Sequence, residues 1–415
     1  MIYHKIMIKI LPYTTVLIIV AIALFLAASN IQGGWLYVLD SIIWSLLFVS
    51  FIIPFFQFQQ IKFERIHTSK IFENQSFLVS LNIKNISKKK IINFIEIKDN
   101  SPQRLTGKNF TTKKNIPSKF ILKLLPGEKE SLEYNLTLDL RGVYLFSYIT
   151  VTSYGPFGLF EIRKKIKLET KIKVYPVIPV IHSIPIEILQ TGKQEKYSNL
   201  FKKSDSGEIY NIREYRSGDN KKSIHWKISA KLNKLMVKEL EDSQTKNITI
   251  IIDLQKGVDI GENKKSTLEY SVKIAGTLIK YCISSGYTIE VISGSPDKQN
   301  PYLPVTPRII SPISNWYQAL DWLICLQDDT SKSLLELIEN NNISTKNIVI
   351  IIFPFLKQEN IDLLNKLAKQ NYKLIVYAMD IKTFDENIKQ NLPQFKNIKF
   401  YNISANNELS EFIRN

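Results

Sequence analysis

Leu11 to Ala28 is an 18-residue run without a charge, and Trp35 to Phe56 is a second apolar run whose one charge is Asp40. As helices they would extend about 27 Å and about 33 Å, close to the hydrocarbon thickness of a bilayer. Tyr13, Trp35 and Tyr37 stand near the ends of these runs, where amphipathic rings favour the interface. The short uncharged stretch Ser29-Asn30-Ile31-Gln32-Gly33-Gly34 between them suits a helical hairpin. Lys5 and Lys9 precede the first run, and Lys62, Arg65 and Lys70 follow the second. Positive flanks on both outer ends put both in the cytoplasm of a two-span plasma (inner) membrane protein. The basic start and the small residues Ala27, Ala28 and Ser29 also fit a cleaved signal peptide. The second run would then stop transfer and still leave the body inside.

After the apolar runs the period changes twice. From about Ile66 to Tyr175 apolar residues alternate, as in Phe77, Val79, Leu81 and Ile83 or Leu136, Leu138 and Leu140. Pro126-Gly127, Arg141-Gly142 and Gly155-Pro156 punctuate these short strands as turns, the pattern of a β-sandwich. From about Asn247, continuous apolar runs alternate with helical stripes. Strands are predicted at 248–253, 287–292, 347–352 and 373–378, and helices at 266–284, 315–326, 332–339 and 358–370. Buried strands alternating with helices mean a doubly wound α/β domain with a mostly parallel sheet. The expected architecture is therefore α+β and multidomain. It comprises a transmembrane hairpin (1–60), a β-sandwich-like domain (61–176), a polar segment (177–245) and the α/β domain (246–415).

Composition agrees with this division. The chain has 415 residues, 45% of them hydrophobic and 22% charged. Its mean hydropathy of −0.06 excludes a polytopic membrane protein but not one with two spans. Two cysteines, Cys282 and Cys325, provide neither a disulfide framework nor zinc-ligand spacing. Of the net charge of +17, a surplus of ten falls between Ile61 and Leu125, which holds 14 Lys and Arg against 4 Asp and Glu. That surface follows the apolar N-terminus and suits anionic headgroups as well as plain solvent. Nucleic-acid binding would need a basic groove with stacking aromatics, and none is expected.

No Walker A loop, Gly-x-Gly-x-x-Gly, His-Glu-x-x-His or Gly-x-Ser-x-Gly occurs. His4, His67, His182 and His225 are too scattered for a metal site, and Cys282 lies on the apolar stripe of a helix as a core residue. The densest polar cluster is Arg213, Glu214, Tyr215, Gly218 and Asp219, followed by Ile224, His225, Trp226 and Lys227. Ser217-Gly218-Asp219-Asn220 reads as a turn. The cluster is either a partner surface anchored by Trp226 or a packed brace with Trp226 buried and Arg213 bonded internally. An enzyme would require a site around Arg213, Glu214, Asp219 and His225, with His225 within reach of a carboxylate.

The cluster resembles the signature of the domain-of-unknown-function family 58, in Arg213-Glu214-Tyr215, Gly218-Asp219, Ile224, Trp226-Lys227 and Ala230-Lys231. Upstream, Arg141-Gly142-Val143-Tyr144, Pro156-Phe157-Gly158-Leu159-Phe160 and Val174-Tyr175-Pro176 also fit, with Gly155 where that family usually has Asp. The resemblance implies a von Willebrand A-like C-terminal domain and partnership with a MoxR-type AAA+ ATPase. With no catalytic motif present, a scaffold rather than an enzyme is expected, with Arg213, Glu214, Tyr215, Gly218, Asp219, Trp226 and Lys227 facing the partner. The A-domain metal motif Asp-x-Ser-x-Ser is degenerate here, with Asp253 kept but Gln255 and Gly257 in place of the hydroxyls. No metal and no other cofactor is therefore expected.

Topology gives the first test. A cysteine placed at Asn30 in the intact cell should react with an impermeant maleimide, and one at Ser204 should not. The reverse pattern would overturn the cytoplasmic placement.

Overall fold

The computed structural model describes residues 6–31, 33–107, 115–179, 209–216, 219, 224–240, 247–294, 309–310, 316–341, 343–345, 347–386, 388, 395 and 398–405. These divide into two compact units. The first holds the residues up to 177 together with 320–327, and the second holds the rest.

In the first unit, β1 (Ile6–Ile10) leads through Leu11 alone into α1 (Pro12–Ile31), and α2 (Gly34–Gln57) follows. Both helices are long and apolar enough to cross a membrane, and only 17% and 22% of their spanning windows are buried. That low burial argues against core helices of a soluble domain. Their contact seam is small and regular. Ala21 and Ala28 on α1 are fully buried, and Leu36, Asp40, Leu47 and Ser50 on α2 are buried at spacings of three, four and seven, the last two also against Pro156, Leu159 and Phe160. Small residues at such positions let helix backbones approach closely.

The β body comprises β2 (Ile61–His67), β3 (Ile71–Phe72), β4 (Ser76–Asn85), β5 (Ile92–Asp99), β6 (Gln103–Arg104), β7 (Ser118–Leu124), β8 (Lys129–Thr137), β9 (Gly142–Tyr154) and β10 (Phe160–Tyr175). One sheet has the order β2-β4-β8. The other runs β1-β10-β9-β5-β7, with β3 and β6 added at β10 and β9. The alternating residues share one core, in which Val79, Leu81 and Ile83 of the first sheet meet Ile95, Ile97, Phe146 and Val151 of the second. Inside that core lies a polar group that local sequence pattern does not announce. Arg65 on β2 donates to both carboxylate oxygens of Asp99 on β5, at 2.9 and 2.7 Å, and neither side chain is exposed. Tyr134 Oη on β8 donates to the same carboxylate at 2.7 Å. Arg65 also donates to the Leu168 carbonyl and Thr170 Oγ1, at the register shift of β10. Its guanidinium lies over the Phe146 ring. One guanidinium thus ties three strands of two sheets together, with its donors directed at oxygen acceptors. Burial, then the Asp99 charge, push the Tyr134 hydroxyl well above its ordinary range, so it donates at any physiological pH.

The turns singled out by sequence have steric reasons. Gly142 has φ +138°, and a Cβ there would overlap Thr106 Oγ1. Tyr144 Oη donates back to the Leu140 carbonyl at 2.8 Å. At Gly155 a Cβ would overlap the Ser50 carbonyl of α2, which excludes the Asp otherwise expected there. The loop 155–159 docks on the hairpin through Ser50 Oγ to Pro156 O (2.7 Å), Tyr13 Oη to Gly158 O (2.6 Å) and Thr14 Oγ1 to Leu159 O (2.5 Å).

In the second unit, β11 (Ile209–Glu214), α3 (Trp226–Leu232) and β12 (Met236–Leu240) form a hairpin with a short helix in its connection. There follow β13 (Asn247–Ile252), the small ribbon β14 (Gly261–Glu262) and β15 (Lys265–Ser266), α4 (Thr267–Ser284), β16 (Thr288–Ser293) and β17 (Ile309–Ile310). Next come α5 (Trp316–Cys325), whose residues from 320 onward belong to the first unit, then α6 (Leu334–Asn340), β18 (Ile348–Phe353), α7 (Gln358–Lys369), β19 (Lys373–Met379) and β20 (Lys399–Ile403). The sheet order is β17-β16-β13-β18-β19-β20, parallel throughout except for β17. Ile251, Val349, Ile351 and Val376 face α6 and α7 on one side, and α4 packs on the other. Ser266 and Ser333 cap α4 and α6 by accepting from the third residue onward, the expected geometry for a serine N-cap. The strands and helices predicted from about Asn247 onward appear within a few residues of their expected ends. Missed by the pattern are β1, the short ribbon β14–β15, the two-residue β17 and the edge strand β20.

Cutting one arm of the buried network should be severe. Asp99→Asn or Arg65→Met alone should lower stability by about 3–5 kcal/mol, because a buried charge loses its counter-charge. Tyr134→Phe should lower it by about 1–3 kcal/mol. Denaturant unfolding checks both, and near-neutral effects would show that the network is dispensable.

Candidate functional site

The polar cluster is built on the β11–α3–β12 hairpin. Arg213 and Glu214 are the last two residues of extended β11, the first half-buried and the second exposed, and the Asp219 N–H donates back to the Arg216 carbonyl at 3.0 Å. Arg213 meets Asp219 as a two-point pair, Nη1 to Oδ2 at 2.6 Å and Nη2 to Oδ1 at 2.8 Å. The Arg216 N–H also donates to Asp219 Oδ2, at 2.8 Å. These bonds, led by the Arg213 guanidinium, bring the Asp219 carboxyl down to about 2. The turn is therefore held above the ordinary aspartate range and released only as pH falls toward 2. Glu214 turns instead to Lys234 at 2.7 Å, and this exposed pair lowers the Glu214 carboxyl and raises the Lys234 ammonium.

Helix α3 starts at His225, whose N–H donates to Met236 O, and ends at Asn233 in the left-handed conformation. Asn tolerates that conformation at a helix end, and Lys231 in the last turn complements the helix dipole. Ser229 Oγ accepts from the Met236 N–H at 2.8 Å and so fixes the helix on β12. Ile224 and Val237 are buried beneath. Trp226 is not: it is 68% exposed, with Leu232 and Leu235 exposed beside it in the sequence.

Each sequence-chosen residue can now be placed. Arg213 and Asp219 come together, Glu214 pairs elsewhere, and half-buried Tyr215 donates its N–H to Leu235 O. Trp226 and Lys227 lie exposed on α3, and Gly218 lies outside the described residues. The cluster thus combines an internally bonded Arg213 with an exposed Trp226. Among the described residues the His225 ring bonds to no carboxylate.

Asp253 lies at the end of β13, away from that hairpin in sequence and 3% exposed. This end of the sheet, between β13 and β18, is where the connections change direction, the position at which open α/β sheets bind ligands. The residues there do not fit a divalent cation. Asp253 Oδ1 accepts from the Gln255 N–H at 3.1 Å, and Oδ2 from Asn360 Nδ2 at 3.4 Å. Gln255 Oε1 accepts from the Lys357 ammonium at 2.7 Å. Burial raises the Asp253 carboxyl, opposed by the Gln255 N–H and the Lys357 charge. A built-in ammonium supplies positive charge among these groups, and a hard cation would meet one carboxylate already accepting two bonds. Among the described residues no three His, Cys, Asp or Glu side chains gather as a metal group. Lys357 and Asn360 were missed by sequence reasoning, since they lie more than a hundred residues from Asp253 and Gln255. Cys282 is fully buried, and burial pushes its thiol up to about 12, as suits a packed core residue.

Residues 211–310 match the family model described as protein of unknown function DUF58. The matched segment runs from the hairpin into the α/β sheet. The chain is similar to the uncharacterized protein YeaD of Bacillus subtilis (strain 168), at 26% identity over 125 residues. That match spans 30% of this chain and 31% of YeaD. Among solved structures, the CARDB domain of PF1109 from Pyrococcus furiosus is similar at 14% identity and TM-score 0.18, over 28% of this chain and 86% of that one. The C-terminal domain of Wzt is similar at 11% identity and TM-score 0.21, over 29% and 75%. Likeness at these TM-scores carries no argument about fold or function.

Millimolar Mg²⁺ should leave the melting temperature unchanged. A ligand binding only the native state at 100 times its dissociation constant adds about 2.7 kcal/mol, so a site would be visible. A Mg²⁺-dependent rise that Asp253→Ala abolishes would overturn this reading.

Proposed function

We propose that this is a membrane-anchored, cytoplasm-facing scaffold that works with a MoxR-type AAA+ ATPase in assembling or maturing protein complexes. The observation that carries the reading is Trp226. A tryptophan 68% exposed on a helix fixed by Ser229 and Asn233 is a poor core residue and a good interface anchor. Lys227 and Lys231 are exposed on the same helix and favour an acidic partner surface. In this reading the Arg213–Asp219 pair sets the turn that presents the helix, so it acts through geometry while Trp226 acts by contact.

The rest of the chain supports the same role. Two apolar helices with exposed faces suit a bilayer anchor, and positive outer flanks suit a cytoplasmic body. Two sheets around one core suit a sandwich next to the membrane. The sheet order β17-β16-β13-β18-β19-β20, with one antiparallel strand, suits a von Willebrand A-like domain. The ATPase partnership rests on the family resemblance.

The test uses the full chain in detergent or nanodiscs and a purified MoxR-type ATPase from the same organism. Trp226→Ala should weaken binding by about 2 kcal/mol or more while moving stability by less than about 0.5 kcal/mol. Unchanged binding, or wild-type protein that fails to bind at all, would overturn the proposal.

A further inference from the structure

The junction between α2 and the β body holds a groove of about 460 Å³. One wall is the end of α2, with Ile52, Ile53 and Phe56. The other is the start of β5 and the residues before it, with Lys90 and Ile91, and Gln60 also lines it. Its chemistry is graded. Ile53, Phe56 and Ile91 are exposed apolar side chains, and the first two continue the apolar surface of α2 without a break. Lys90 lines the groove, and Lys88 and Lys89, exposed like it, precede it in the chain. The side-chain carbonyl oxygen of Gln60 is buried and accepts no hydrogen bond among the described residues. A buried acceptor without a donor is unfavourable, and a ligand that supplies the donor relieves it.

The lysines do not hang on a loose loop. Asn85 is fully buried, and its Nδ2 donates to the Lys90 carbonyl at 2.9 Å and to Leu124 O at 3.0 Å. Ser87 Oγ donates to the same Lys90 carbonyl at 2.5 Å and accepts from the Lys90 N–H at 3.1 Å. The turn that carries Lys88–Lys90 is thus fixed by a buried amide, and the ammonium groups start from a set backbone position. Across the groove, Gln57 is buried, and its Oε1 accepts from the Asn93 N–H at 3.3 Å, which joins the two walls.

We infer that this groove seats an anionic glycerophospholipid whose headgroup carries a hydroxyl donor, as phosphatidylglycerol does. The acyl chain lies along Ile52, Ile53 and Phe56, the phosphate meets Lys90 with Lys88 and Lys89 nearby, and the headgroup hydroxyl donates to Gln60 Oε1. Continuity with α2 selects a lipid over a protein segment, because the apolar wall belongs to a helix long enough to span the bilayer and ends where headgroups begin. The inference rests on the reading that α2 spans the membrane, so its test reads the two separately.

The full chain is placed in bilayers of equal phosphatidylglycerol and phosphatidylcholine, released gently, and weighed by native mass spectrometry for retained lipid. Resistance to alkaline carbonate is measured in parallel as the sign of membrane insertion. Wild-type protein should retain phosphatidylglycerol over phosphatidylcholine. Each lysine replaced by alanine should lower that retention about fivefold, and the triple variant on the order of a hundredfold. In a second bilayer of equal phosphatidylglycerol and phosphatidic acid, wild type should favour phosphatidylglycerol, and Gln60→Leu, which keeps the side-chain size and removes the acceptor, should erase that preference; no preference in the wild type overturns the hydroxyl contact. Equal retention of both lipids by wild type overturns the inference, as does undiminished retention in the inserted triple variant. Extraction of the wild type by carbonate overturns the spanning reading, and the inference with it.

Discussion

The hairpin and the β body are joined with almost no slack, and the organisation of the first unit depends on this constraint. Leu11 alone separates β1 from α1, and the single turn Phe58–Gln60 separates α2 from β2. A helix that leaves its last carbonyls unbonded needs new partners at once, and a strand entering a sheet supplies them for the chain that follows. The third attachment is the loop 155–159, held by Ser50, Tyr13 and Thr14. Three attachments fix the direction in which the helices leave the body. For a membrane protein this brings the sheet edge and the Lys88–Lys90 turn close to the bilayer surface.

Within the body, the Arg65–Asp99–Tyr134 group does for the two sheets what the loop does for the hairpin. A buried ion pair is weak evidence for stability as such, since apolar residues of similar volume often serve as well. Its value lies in specificity. Arg65 satisfies acceptors on β5 and in the bulge of β10, and Tyr134 reaches the same carboxylate from β8. A slip of β2 by one residue would turn Arg65 to the other face and strand Asp99 in the core.

Much of this was legible locally. The apolar runs, the alternation in Phe77 to Ile83 and the continuous strands such as Asn347 to Ile352 all state their own period, and the elements formed where that period said. What sequence could not show is what depends on distant partners. β1 reads as a basic flank and becomes a strand because β10 is there to pair with it. Gly155 reads as a lost aspartate and is required by the Ser50 carbonyl. Asp253 reads as the remnant of a cation site, yet nothing near it in sequence announces Lys357 or Asn360. The polar cluster was found as a cluster, but only coordinates separate the inward-bonded Arg213 from the outward Trp226. Both are strong polar or aromatic signals in the same short stretch, and sequence carries no sign of which one faces water.

The pairing of β1 with β10 also constrains how the chain is made. Ile10 pairs with Phe160 and Ile6 with Lys164, so the strand leaves the ribosome some 150 residues before its partner. At about 5–20 residues per second, the wait is on the order of ten to thirty seconds. During that time Met7, Ile8 and Ile10 form an apolar segment with unpaired backbone, of the kind that pairs with the wrong chain when left exposed. The hairpin that follows emerges long before β10 does, and on the reading that it inserts in a membrane it would draw this segment toward that surface. Early insertion would then shelter the strand until its sheet exists, and a hairpin that anchors the chain would also aid its folding.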